Sequence, residues 1–132
     1  MTLRRWFLGS IVATAATAVW SYLYWLTPLA RSGTVPRIDN PTVILGVLTH
    51  LGLSCLLIAT LLRAVVRALP WYSQRVGFVL FAGVAASFWS RTGPSLWLGA
   101  PFADQGVAML HDLGTWLVAG IVLARFITER VR

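Results

Sequence analysis

Lysine is absent from this chain, acidic residues number only four, and there is a single cysteine. Each shortage removes a class of protein. The lone Cys55 excludes an internal disulfide and any cysteine-rich metal site, and reads as a small buried side chain. Charged residues make up 11% of the sequence, where a soluble domain carries about 25%. Hydrophobic residues reach 58% and the mean hydropathy is +0.75. A soluble domain is therefore excluded, and the composition is that of an integral membrane protein. The net charge of +7 is carried by arginine alone. Most of these arginines stand at the ends of apolar segments, where they meet lipid headgroups and set orientation, so the charge does not point to nucleic acid.

A helix needs about 20 mostly apolar residues to cross the hydrocarbon core. The 132 residues leave room for four crossings, which predicts an all-α membrane protein: one four-transmembrane-helix domain over 1–132, with helices at about 6–27, 41–68, 75–90 and 106–128. The first segment follows Arg4-Arg5 and resembles a twin-arginine export signal, with small-x-small patterns at Ala13-Thr14-Ala15 and Ala16-Thr17-Ala18. Its apolar run is long enough to span, so it reads as a retained helix with Trp20, Tyr22, Tyr24 and Trp25 as an interfacial aromatic belt. Pro28 to Asn40 reads as a polar connector. Asn40 is then placed as an N-cap and Pro41 as a first-turn proline, and the second helix stops before Pro70. The third carries Gly77, Ala82, Gly83, Ala85, Ala86 and Ser87, which let a neighbouring backbone or a flat ligand approach closely. Arg91 to Gln105, with Gly93-Pro94, Gly99 and Pro101, reads as a loop.

With four crossings, one side collects Arg4, Arg5, Arg63, Arg67, Arg75, Arg125, Arg130 and Arg132, eight of the eleven arginines. The other has Arg31, Arg37 and Arg91 beside Asp39, Asp104 and Asp112. The positive-inside rule makes both termini cytoplasmic, N-in/C-in. A reporter fused after Arg132 is thus expected to be active on the cytoplasmic side, and activity across the membrane would overturn this topology.

The only two histidines open similar stretches: Thr49-His50-Leu51-Gly52 runs on to Arg63, and Leu110-His111-Asp112-Leu113-Gly114 runs on to Arg125. At about 1.5 Å per residue each imidazole stands roughly 20 Å from the inner boundary, on helices running the same way. Two axial ligands of one haem need this placement. Gly46 lies one turn before His50 and Gly114 one turn after His111, each on its histidine's face, where a macrocycle edge could lie. Outer-side Arg91 and Arg37 are candidates to meet haem propionates. The plainer alternative is that each histidine serves a local hydrogen-bond network, or that His111 pairs with Asp112. A zinc ion would want three or four protein ligands, and no third one is placed to help.

These residues resemble the bacterial cytochrome b561 family of four-helix haem proteins, over about residues 41 to 128. The similar stretches are His50-Leu51-Gly52 with its aliphatic run to Arg63, Arg67 and Pro70; Ser90 through Pro101; and His111-Asp112-Leu113-Gly114. That family typically holds two b-type haems. Its inner pair of ligands would fall early in helix one and about fourteen residues after His111, but Trp6, Phe7, Ala124 and Arg125 stand there. The resemblance therefore implies one haem b, on the outer side, in a bacterial inner-membrane protein surrounded by lipid. It implies electron transfer between an outer-face protein partner and quinone or a neighbouring cofactor. A cofactor-free subunit scaffolding a larger membrane complex is the alternative reading.

Overall fold

A computed structural model describes residues 3–28, 30, 40–99 and 102–128, apart from the side chains of Pro94 and Asp104. The expectations placed on Arg31, Arg37, Asp39, Arg130 and Arg132 lie outside the described residues. Among the described residues there are four α-helices: α1 (Leu3–Trp25), α2 (Pro41–Val65, tightening into a 3₁₀ turn at Val66–Ala68), α3 (Tyr72–Leu98) and α4 (Phe102–Phe126).

Local chemistry sets most of these ends. Asn40 caps α2, its Oδ1 accepting from the Thr42 N–H at 2.9 Å, and Pro41 occupies the first turn, where its missing N–H costs nothing. Gln74 begins α3 as one half of a capping box, its Oε1 accepting from the Trp71 N–H at 3.1 Å. Gly99, with φ +69°, ends α3 in the left-handed region that favours glycine.

The expected loop over Arg91 to Gln105 is corrected by the structure. Helix α3 runs straight through Gly93-Pro94 to Leu98, and α4 starts at Phe102. Proline removes one donor, and a helix packed on a neighbour can carry that loss while nearby hydroxyls bond the free carbonyls. In the turn before Pro94, Ser90 Oγ donates to the Ser87 carbonyl at 3.0 Å and Thr92 Oγ1 to the Phe88 carbonyl at 2.7 Å, both of them bonds within α3 other than the one at the Ser90 carbonyl that the proline removes.

Among the described residues, three helices are long and apolar enough to cross a membrane: Leu3–Trp25, Pro41–Ala68 and Gln105–Phe126. The surface suits lipid, since Leu23, Leu45, Leu53, Phe81 and Trp89 are exposed. The interior carries Ser10, Thr17, Ser21 and Thr115. Ser10, Thr14 and Thr17 each donate to their own helix's backbone, so these hydroxyls can be buried. Small buried residues bring helices close where water supplies no hydrophobic drive between them.

Contacts give the directions. Trp20 and Tyr24 of α1 reach His111 and Val107 of α4, and Tyr72, Ser87 and Arg91 of α3 reach Ile121, Trp116 and Asp112. Both pairs are antiparallel. A short turn then reverses α2 into α3, so α2 and α4 run the same way. Helix α4 packs extensively on α3 and α1, whereas α2 leans on α1 and scarcely touches α3.

Candidate functional site

The uneven packing of α2 creates the site. Its C-terminal half has a buried face at Leu51, Cys55, Ile58, Ala59 and Leu62, while every residue from Pro41 to His50 is exposed. Between that exposed N-terminal half and the rest of the bundle lies a cavity of about 1480 Å³. On α2 it extends from Val43 to Leu61, a length of about 27 Å at 1.5 Å rise per residue. Polar groups gather toward the N-terminal end of α2, with His50, Arg91, His111 and Asp112, and the end toward the α2 C-terminus is apolar, with Ile58, Leu61 and Ala82.

Both histidines line this one cavity. Each is the tenth residue of its helix. The cross-links agree on their level: Thr17 of α1 meets Cys55 of α2 at 3.9 Å, and Ser21, one turn further along α1, meets His111 at 2.9 Å. His50 likewise lies just over one turn from Cys55, toward the N-terminus of α2.

His111 is firmly held. Its Nδ1 lies 3.0 Å from Asp112 Oδ1 and its Nε2 2.9 Å from Ser21 Oγ. A carboxylate accepts only, so in the neutral ring the pairing puts the proton on Nδ1 and leaves Nε2 to accept from the Ser21 hydroxyl. The His111 carbonyl accepts from Trp20 Nε1 at 3.1 Å and Thr115 Oγ1 at 2.9 Å. Tyr24 meets the imidazole edge-on at 5.2 Å between centroids, and Trp25 lies at 5.5 Å. Asp112 is in turn gripped by Arg91, whose Nε and Nη2 donate to its two oxygens at 3.0 and 3.3 Å. Such a fork fixes a carboxylate in both position and orientation.

Of the other residues expected at the site, Gly46 lines the cavity with open space beside it. Gly114 does not line it, because the Trp20 indole fills the space beside that glycine. Arg91 lines the cavity but spends two nitrogens on Asp112. The expected aromatic belt is also corrected in part: Trp20 and Tyr24 turn inward and hydrogen-bond α4, while Tyr22 remains exposed. Ser21 and Trp25 were not singled out for the site. Their one signal is spacing, since Ser21 and Trp25 stand four residues apart, beside the equally spaced pair Trp20 and Tyr24.

No protein-family model, curated protein or solved structure matches this chain. The functional reading therefore rests on the site itself.

The donor set suits haem iron. Neutral imidazole nitrogens are common axial ligands, and a ligating histidine ordinarily gives its other N–H to a carboxylate or carbonyl, as His111 does to Asp112. The cavity exceeds the roughly 300–1,000 Å³ of sites for drug-sized ligands, so a macrocycle has room. Ser21 is the one group on the His111 lone pair, and a single hydroxyl can turn aside.

Proposed function

We propose that this chain is a mono-haem b-type membrane cytochrome, an electron-transfer subunit in a four-crossing bundle, with His50 and His111 as axial ligands near the outer side. The observation that carries the reading is the convergence of the only two imidazoles, from parallel helices and at one level, on a single cavity. Bound there, the haem would supply one-electron chemistry.

The chain's own residues do the rest. His111, fixed through Asp112 and Arg91, presents Nε2 at the cavity. Gly46 keeps the α2 wall low, and Ala82 and Ala86 do the same on α3. The apolar inner end excludes water, which lowers the local dielectric and favours the less charged redox state. Trp6 and Phe7 stand where an inner ligand on α1 would be expected, so the reading holds one haem, and electrons pass to an outer-face partner, to quinone or to a neighbouring cofactor rather than across the whole bilayer.

A second reading has one observation in its favour. Both ring nitrogens of His111 already have protein partners, as a cofactor-free scaffold subunit requires. Spectra of His50→Ala and His111→Ala separate the two. The haem reading expects the low-spin b-type signal to vanish in each, and a signal that survives both substitutions would remove it.

A further inference from the structure

We propose that the two ligands are unequal: Asp112, gripped by Arg91, positions His111 as the fixed ligand, and His50 is the exchangeable one. This rests on the haem reading above and adds to it a ligand-binding position. The contrast between the two histidines carries the argument.

His111 is enclosed. Asp112 and Ser21 engage its ring nitrogens, Tyr24 and Trp25 flank the ring, and two hydrogen bonds hold its carbonyl. Moving it away would cost the Asp112 carboxylate, whose side chain is 14% exposed, one of its two partners and leave Arg91 alone on it. A carboxylate on the far nitrogen also fixes the tautomer and raises the basicity of the ligating one, strengthening its bond to a metal.

His50 has none of this. Among the described residues it makes no hydrogen bond, ion pair or ring contact. It sits on the half of α2 that lacks a buried face, and Gly46, one turn away, has open space on its side. Nothing in the protein has to break for His50 to swing out. When it does, one nitrogen–iron bond breaks and one bond to a small neutral ligand forms, with no electron or proton transferred. The position so opened lies on the cavity that α2 and α3 both line, where a diatomic ligand has room.

The test uses the purified full chain as wild type, His50→Ala, His111→Ala, His111→Gln and Asp112→Asn, measuring haem per chain, the carbon monoxide difference spectrum of the reduced protein and the midpoint potential. His50→Ala is expected to keep most of its pigment, now high-spin, and to bind carbon monoxide readily. His111→Ala is expected to lose pigment about tenfold or more. His111→Gln, which retains an amide to bond Ser21 and Asp112, guards against simple misfolding and should lose pigment while remaining helical. Asp112→Asn keeps both ligands but loses the charge behind His111, so its potential should rise, and Asp112→Glu should restore it. Equal loss of pigment from the two alanine variants would overturn the proposal, as would a folded His111→Gln that stays coloured or an unchanged potential in Asp112→Asn. A colourless wild type would instead remove the haem reading itself, and the proposal with it.

Discussion

Gly83→Leu is expected to force α3 from α4 and to destabilise the fold by about 3 kcal/mol, the upper end of the cost of overpacking a well-filled core. A Cβ at Gly83 would fall within the indole of Trp116, closest to the ring atoms near its root. Those atoms cannot move unless the whole side chain changes rotamer. Trp116 is also tied by a 2.9 Å hydrogen bond from Nε1 to Ser87 Oγ, one turn along α3 from Gly83 itself. Relieving the clash therefore breaks that bond and opens the most extensive helix interface in the molecule. Gly77, on the same helix, has open space beside it. There a substitution to alanine should be neutral or stabilising by up to about 1 kcal/mol, because alanine is the better helix former. Equilibrium unfolding in mixed detergent micelles checks both, and equal midpoints for Gly83→Leu and Gly77→Ala would contradict the packing.

Asp112→Ala should produce the second large effect, a loss of about 2–3 kcal/mol. Breaking a buried ion pair on one side costs roughly 3–5 kcal/mol because the remaining charge is stranded. The Arg91 side chain is 40% exposed, which reduces that figure. The same substitution removes the acceptor for His111 Nδ1. If the stranded cation dominates, replacing both partners with apolar residues, Arg91→Met with Asp112→Leu, should recover much of the loss. A double-mutant cycle in the same detergent measures the coupling directly. A cycle that closes to zero would show that Arg91 and Asp112 do not support each other.

Much of α2 could be read in advance because its signals are chemical. Asn40-Pro41 gives a cap with a defined hydrogen bond, and Pro70 gives a stop. The parallel run of α2 and α4 follows from the single helix that lies between them, and both His50 and His111 line one cavity. Helix α3 was harder. Gly93-Pro94 carries the usual marks of a break, yet the helix continues, held in place by the Arg91 fork to Asp112 on α4. That tertiary contact cannot be read from local propensity.

The glycines make the same point. Gly46 and Gly114 have equivalent spacing to their histidines, but one has open space beside it and the other seats an indole. Spacing puts a residue on a face without saying what lies opposite. Trp20 and Tyr24 lie near the end of a spanning segment, so they read as interfacial anchors. Their spacing of four also lets both face α4, and burial of the indole N–H and phenol O–H against backbone carbonyls of that helix decides the matter.

The central claim, one haem held between His50 and His111, is tested most directly by the reduced-minus-oxidised absorption spectrum of the wild-type chain purified from haem-replete cells, taken with its haem-to-protein ratio. The account predicts a sharp low-spin b-type signal at one haem per chain. A colourless protein, or two haems per chain, would contradict it.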